Sequence, residues 1–268
     1  MTAPFIDHLA ETWAHTVTAC RGLGADEWDL PTDCPGWTVR DQLSHVVGTE
    51  LLLLGRRGPP PASSGADHVR NPLGELNEAW VEARRGTPGS DVLAEFSEVT
   101  AARLAALRGM SQEELTAETT SPIGRVPYAT FMDVRVMDCW VHEQDIRRAV
   151  QRPGHLDGPA AEAAISRLVS SFPYVVGKRA APPDGATVVL WLSGPVEATV
   201  SVVMQGGRAV AAAETPDPAV RIVTDSETFA CLAAGRWTGD VAIEEGRVAF
   251  NGDADLGRRI VTSLATIP

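Results

Sequence analysis

The spacing of apolar residues changes once along this chain, which indicates two domains. From residue 3 to about 172 apolar residues recur every three or four positions, as on one face of a helix. After about residue 186 they alternate in short valine-rich runs, as in strands. The intervening "GKRAAPPDGA" has the proline, glycine and charge content of a linker. The sequence therefore predicts a helical domain over residues 1–176 and a second domain over residues 186–268.

Long amphipathic segments predict an antiparallel helical bundle in the first domain. Thr38 is expected to begin the second helix, because Asp41 three residues later completes a capping box. The last long helix is expected to end before Pro153 and Gly154. The predicted helices cover residues 4–21, 38–57, 72–85, 90–108 and 127–150, with an extra helix over residues 159–172.

The second domain is predicted to be a small α+β domain with a curved antiparallel sheet. Gly206 and Gly207 join two of its strands as a two-residue hairpin turn. Thr224 or Asp225 is expected to cap a helix that ends near residue 234, and Asp253 a closing helix that ends near residue 264. The predicted strands cover residues 186–192, 197–204, 208–213, 220–223, 241–243 and 248–250.

Composition excludes several classes of function. The net charge of -12 and the pI near 4.9 argue against nucleic acid as a partner. Runs of large apolar residues such as Leu51 to Leu54 are far shorter than the roughly 20 residues of a bilayer span. The amino end shows no basic-then-apolar leader, so we expect a cytoplasmic protein with no membrane partner. The four cysteines form no CxxC pair, and we interpret them as buried thiols.

Several common catalytic motifs are absent from the sequence. Lys178 is the only lysine, and it does not lie in a GxxxxGK[ST] sequence. The chain contains no HExxH, GxGxxG or GxSxG. These absences argue against a P-loop enzyme, a peptidase of the HExxH type, a dinucleotide-binding enzyme and a serine hydrolase.

The last bundle helix carries a possible metal site in "RVMDCWVHEQDIRRAV". Asp138 and His142 are four residues apart, so both side chains point the same way from the helix. Asp145 lies three residues further along the same stripe, and His45 on the second helix could supply a third ligand. Two nitrogens and one oxygen leave a coordination position open for water or substrate, as in a catalytic site.

Ordinary side-chain pairing is the alternative interpretation of these residues. Asp138 with His142, and Asp41 with His45, have the spacing of helical side-chain pairs. However, the polar stripe of the last helix runs beside apolar positions such as Val134 and Val141, where a bundle core is expected. Buried ionisable groups cost several kcal/mol unless they are paired or bind a ligand. This cost favours the metal interpretation.

Two bundle motifs carry a resemblance to a known family. "CPGWTVRDQLSHVVGTE", followed some ninety residues later by "DCWVHEQDIRRA", resembles the mycothiol-dependent maleylpyruvate isomerase family. "ACLAAGRWTGDVAIEEGRVAFNGDADLGRRIV" is similar to the carboxy-terminal domain of that family, which is related to sterol carrier proteins. The resemblance implies a DinB-like antiparallel four-helix bundle that binds a metal, followed by a sterol-carrier-protein-like α+β domain.

The resemblance also implies a chemistry. A divalent metal, usually zinc, is held by His45, Asp138 and His142, and mycothiol supplies a thiol that attacks an electrophilic small molecule. The family commonly has glutamate at the position of Asp138, so zinc, iron(II) and other divalent metals stay open. Both S-transfer and cis-trans isomerisation of the maleylpyruvate isomerase type are compatible with the resemblance, and the electrophile and the oligomeric state are undetermined.

Two further residues are candidates for catalytic roles. Asp145 could orient His142 or merely solvate the end of its helix. Arg236 is similar to an arginine that the isomerases use against substrate carboxylates, but it could also be a solvated charge at a helix end. We interpret Trp37 and Trp140 as core or wall residues.

Two other functions remain open beside the mycothiol-dependent enzyme. One is a metal-dependent hydrolase or transferase that does not use a thiol. The other is a non-catalytic protein that binds a metal or an apolar ligand. Specificity is expected to depend on loops such as "RRGPPPASSGADHVRNP", whose shape the sequence does not determine.

Overall fold

The computed structural model describes residues 3–60 and 67–267, and the chain forms two compact units, residues 1–155 and residues 156–268. Residues 61–66, in the middle of the predicted specificity loop, lie outside the described residues. The helix that begins at Pro159 lies within the second unit, although we predicted it as part of the helical domain over residues 1–176. Helical periodicity shows which face of a helix is buried, but not which domain buries it.

Long helices pack against one another in the first unit. Its described helices are α1 (Pro4–Cys20), a 3₁₀ turn (Ala25–Asp29), α2 (Val39–Leu53), α3 (Pro72–Glu82), α4 (Gly89–Arg108), α5 (Gln112–Thr116) and α6 (Tyr128–Ala149). Helix α1 contacts α4 and α6, and α2 contacts α3, α4 and α6. The long helices predicted from the sequence are therefore confirmed, with shifts of a few residues at their ends.

The start of α2 is fixed by the predicted capping box. The Thr38 hydroxyl accepts a hydrogen bond from the backbone N–H of Asp41, and the Asp41 carboxylate accepts one from the backbone N–H of Thr38. These bonds satisfy two of the donors that a helix start leaves unpaired. The cap sets where α2 begins and so determines which of its residues face α6.

Helix α6 is buried around most of its circumference. Apolar side chains such as Trp140 and Ile146 are almost completely shielded from solvent, and so are the charged residues Arg135, Glu143 and Asp145. A helix with this distribution has no polar face to turn towards water. Its charged side chains must therefore find partners inside the protein.

A small hairpin precedes α6 and was not predicted. Its strands, β1 (Glu118–Ser121) and β2 (Gly124–Pro127), pair in antiparallel register. Their sequences, ETTS and GRVP, are mostly exposed and show no apolar alternation, so the pattern that predicts strands is absent. Gly124 at the turn has a φ of +102°, a conformation that favours glycine.

The second unit contains a five-stranded sheet with the order β5-β4-β3-β6-β7. Strands β3 and β6 are parallel, whereas the other neighbouring pairs are antiparallel as predicted. The strands are β3 (Thr187–Ser193), β4 (Ala198–Gln205), β5 (Arg208–Ala211), β6 (Val220–Asp225) and β7 (Val248–Gly252). The helices of this unit are α7 (Pro159–Val169), α8 (Phe172–Tyr174), a π-helical turn (Val175–Ala180), α9 (Ser226–Ala233), α10 (Gly239–Glu244) and α11 (Ala254–Val261).

The strand predicted over residues 241–243 is wrong, because these residues lie in α10. The helix buries Ala242 and leaves Val241 half exposed. A run of three apolar residues is too short for periodicity to separate a strand from a helical turn. Among the described residues, none of the helices has both the length and the apolar character of a membrane span.

Close packing of α2 on α3 predicts opposite effects for two glycine substitutions. A Cβ added at Gly48 would lie 2.3 Å from Cγ of Trp80, whereas a Cβ at Gly74 meets nothing closer than 3.6 Å. We expect Gly48→Ala to lower the free energy of unfolding by about 1–3 kcal/mol through overpacking. Gly74→Ala should raise it by about 0.5 kcal/mol through helix propensity. Urea denaturation followed by circular dichroism measures both, and a stabilising Gly48→Ala would show that this contact is loose.

Candidate metal centre

The three residues predicted to bind a metal lie together between α2 and α6. His45 Nε2 is 3.2 Å from Asp138 Oδ2, and His142 Nε2 is 3.6 Å from Asp138 Oδ1. One ligand atom from each residue lies within 4.8 Å of the others. Two ligands bonded at about 2.1 Å to one tetrahedral ion are about 3.4 Å apart. The observed separations therefore suit a common ion.

The two histidine side chains of the cluster are almost completely shielded from solvent. The side chains of His45 and His142 are 5% and 8% exposed, and that of Asp138 is 22% exposed. The indole ring of Trp37 lies against both imidazoles, with ring centroids 5.1 and 5.7 Å apart. Trp37 is thus a wall residue, as predicted, and Asp138 marks the more open edge of the site.

The orientation of His142 depends on Gln42, which was not predicted as a site residue. His142 Nδ1 is hydrogen-bonded to Oε1 of Gln42. The Gln42 amide is itself held, because its Nε2 donates to the Thr32 hydroxyl at 2.6 Å, which donates to the Trp37 carbonyl at 2.8 Å. An amide oxygen only accepts, so Nδ1 carries the proton and Nε2 keeps its lone pair. That lone pair is the one a metal needs.

His45 is electrically neutral, as a ligand of a cation must be. Burial lowers the pKa of His45 to about 4, and the neighbouring Asp138 carboxylate offsets this effect only in part. The imidazole is therefore neutral at pH 7. His45 Nδ1 makes no hydrogen bond within the described part of the chain. His45 Nε2 donates its proton to the ionised Asp138 carboxylate, and a metal ion bound at Nε2 would take the place of this proton.

Asp138 is held ionised by the groups around it. Burial alone would raise the pKa of Asp138, but the Arg135 guanidinium and the His142 and His45 imidazoles hold the pKa well below its usual value. Arg135 donates to Asp138 Oδ2 and, from two other nitrogens, to Glu50 at 3.0 and 2.7 Å. Glu50 also accepts from Arg103 at 3.0 Å. The buried charges alternate in sign along this network, so each is compensated.

Asp145 lies beside His142, although it is not the closest partner of the ring. Its Oδ2 is 3.5 Å from His142 Nδ1, and its Oδ1 accepts from Arg148 at 2.7 Å. The side chain is completely buried, so it does not solvate the helix end. Cys34 is half-buried, and its sulfur lies within 4.8 Å of ligand atoms of His142 and Asp145. Cys139 is buried, and burial raises the pKa of its thiol to about 12.

Arg236 lies in the second unit. Its Nη1 donates to the carbonyl of Ala234 at 2.9 Å, after the end of α9. It lines a cleft of about 360 Å³ together with Trp237 and Arg247, whose guanidinium lies over the Trp237 ring at 4.6 Å. The other four predicted site residues, in contrast, lie together in the first unit.

Comparison with known proteins identifies the family of the chain. The family model of the mycothiol maleylpyruvate isomerase N-terminal domain matches residues 9–147, which is just over half of the sequence. The chain belongs to this family. The residues that match the mycothiol maleylpyruvate isomerase family model, 9–147, include His45, Asp138 and His142.

The chain is also similar to two curated proteins and to solved structures. The chain is 29% identical over 205 residues to uncharacterized proteins from two strains of Mycobacterium tuberculosis, which covers 67% of the chain and 72% of each relative. A crystal structure of a mutant mycothiol-dependent maleylpyruvate isomerase has a TM-score of 0.57 at 15% identity and covers 92% of this chain and 91% of its own. A second structure of the mycothiol-dependent maleylpyruvate isomerase has a TM-score of 0.55 at 17% identity, with 87% and 88% covered. These likenesses show a shared fold across both units.

The hydrogen bond between Gln42 and His142 predicts a loss of metal affinity on substitution. Gln42→Ala removes the acceptor that fixes the tautomer of His142, and the loss of such partners typically costs about 10–100-fold in affinity. Ser44→Ala is the matched control, because its hydroxyl bonds only the Arg40 carbonyl of the same helix. Competition with a chromophoric chelator measures Zn²⁺ affinity. Equal affinities in the two variants would show that Gln42 does not support the ligand.

Proposed function

We propose that this protein is a zinc-dependent enzyme that activates the thiol of mycothiol for addition to an electrophilic small molecule. His45, Asp138 and His142 would hold the ion, and the thiol would take the remaining position. Membership of the mycothiol maleylpyruvate isomerase family and the two-imidazole, one-carboxylate cluster support this proposal. The observation that carries it is the hydrogen bond between His142 Nδ1 and Gln42 Oε1, which leaves the Nε2 lone pair of His142 for an ion in the cluster.

The proposal includes the architecture around the site. We assign the helices α1, α2, α4 and α6 to a four-helix bundle of the DinB type, and the second unit to a sterol-carrier-protein-like domain. The helix contacts and the order of the elements support this assignment. In such a bundle, ligands on two facing helices meet in the core, where a metal can be shielded from water.

The donor set fits zinc and its neighbours in chemical softness. Two neutral imidazoles and one carboxylate suit Zn²⁺ and iron(II) better than Mg²⁺ or Ca²⁺, which prefer oxygen ligands. When bound, a Zn²⁺ ion lowers the pKa of a coordinated thiol and so supplies a thiolate at neutral pH. A free thiol with a pKa near 8.5 is mostly protonated under the same conditions.

The residues around the cluster would hold the reaction geometry. The Arg135 guanidinium keeps the Asp138 carboxylate ionised and fixes its Oδ2, so Oδ1 remains on the His142 side. Gln42 keeps the proton of His142 on Nδ1. The Trp37 ring excludes water from one side of both imidazoles. Together these contacts leave the more exposed edge, at Asp138, as the approach for the thiol and the electrophile.

The fate of the adduct distinguishes two reactions of the same site. If the thiolate adds to a conjugated carbon and later leaves, the former double bond can rotate, and the enzyme is a cis-trans isomerase. If the adduct is released, the enzyme is an S-transferase. Asp145 would support His142 from behind, and Arg236 would meet a carboxylate of the substrate, because a guanidinium matches a planar carboxylate.

The proposal predicts a thiol-dependent spectral change in the metal-loaded protein. Cobalt(II) replaces zinc in sites of this type and absorbs visible light. Addition of mycothiol to the Co²⁺-loaded wild type should produce a sulfur-to-cobalt charge-transfer band in the near ultraviolet. His45→Ala and His142→Ala should each lower metal affinity at this site at least tenfold and lose the band, because two protein ligands make a poor chelate.

His8→Ala is the control variant, because His8 lies on α1 and outside the cluster. This variant should keep both the metal and the band. A metal-loaded protein that shows no band with mycothiol but hydrolyses ester or amide substrates would instead support the thiol-independent hydrolase. A protein whose metal content is the same in wild type and both histidine variants would refute the assignment of this site.

A further inference from the structure

A second group of one carboxylate and two imidazoles lies where the chain leaves α6. Glu11 and His15 are four residues apart on α1, so both side chains point the same way. His155 follows the end of α6 and has a positive φ of 56°. One ligand atom from each of the three residues lies within 4.8 Å of the others. The donor types are the same as those of His45, Asp138 and His142.

The orientation of His155 resembles that of a metal ligand. Its Nδ1 is hydrogen-bonded to Glu143 Oε2 at 2.7 Å, and Glu143 is held in turn by Arg147 at 2.6 Å. An ionised carboxylate only accepts, so Nδ1 carries a proton, and in a neutral ring Nε2 keeps the lone pair. Carboxylate support of this kind is typical of histidines that bind metals.

The lone pair of His155 is buried and makes no hydrogen bond. The side chain is 3% exposed, and no described residue forms a hydrogen bond with Nε2. The nearest acidic atom, Glu11 Oε1, lies 3.5 Å away, close to the separation of about 3.4 Å for two ligands of one tetrahedral ion. A buried polar atom without a partner costs about 1–3 kcal/mol. A cation between His155 and Glu11 would satisfy both atoms.

We propose that Glu11, His15 and His155 form a second site for a divalent transition metal, with water in the remaining position. Two imidazoles and one carboxylate suit Zn²⁺, Co²⁺ or Ni²⁺ rather than Mg²⁺ or Ca²⁺. The site ties α1 to the segment after α6, so we expect a bound ion to stabilise the helical unit. This proposal is independent of the proposed enzymatic function.

His15 must turn for the site to close around an ion. Its ring stacks on that of His155 with a centroid distance of 3.9 Å and an angle of 7°, and an ion cannot lie in two parallel ring planes at once. His15 is only partly buried, and its Nδ1 accepts a hydrogen bond from an Arg147 guanidinium nitrogen at 3.4 Å, so turning the ring breaks this bond.

Metal stoichiometry tests the second site separately from the first. Equilibrium dialysis against Zn²⁺, followed by metal analysis, should give two equivalents for the wild type and one for His155→Ala. Glu11→Gln should weaken the second equivalent at least tenfold, and because Glu11 is partly exposed this change provides a variant that does not disturb the core. His8→Ala, also on α1, is the matched control and should retain two equivalents.

The double variant His45→Ala, His142→Ala separates the two proposals. It should retain one equivalent, and adding Co²⁺ should selectively broaden the His15 and His155 ring signals in its NMR spectrum. Equal metal content in the wild type, Glu11→Gln and His155→Ala would overturn the second site and leave the proposed function intact. Unchanged ring signals in the double variant would also overturn it, and would leave His155 as a charged partner of Glu11 and Glu143.

Discussion

The site depends on one carboxylate, that of Asp138, which stays ionised although it is only 22% exposed and lies against the interior of a helical unit. An isolated buried charge costs far more than the net stability of a domain, so it persists only when its surroundings compensate it. Arg135 supplies the compensation on one side, and the two imidazoles face the carboxylate on the other. Because Arg135 is in turn fixed by Glu50, the position of the carboxylate is set by the core and not by the solvent.

This arrangement also accounts for aspartate at a position where the resemblance led us to expect glutamate. A shorter side chain reaches less far from α6, so its ligand partner has to come closer. The contact between α2 and α6 brings His45 Nε2 to 3.2 Å from Asp138 Oδ2, and His142 Nε2 lies 3.6 Å from Asp138 Oδ1, which is near the spacing of two ligands on one ion. The guanidinium of Arg135 engages one oxygen, and a metal bound by the other would be coordinated through a single oxygen.

The sequence predicted what depends on local periodicity. Asp138 and His142 share a helix face because they are four residues apart, and the Thr38 cap fixed the register of α2. Gln42 was not predicted as a site residue, because a glutamine three residues before His45 belongs to no recognisable motif. Its partner, His142, is 100 residues away in the sequence. The helix α10 and the parallel pairing of β3 with β6 were not predicted either. A short apolar run in the sequence does not show which element it packs or pairs with.

Crystallography of the zinc-loaded protein shows directly whether His45, Asp138 and His142 bind one metal ion. We expect an anomalous peak at the zinc edge about 2.0–2.2 Å from His45 Nε2, His142 Nε2 and one oxygen of Asp138. A zinc-loaded crystal with no anomalous density among these three side chains would contradict it.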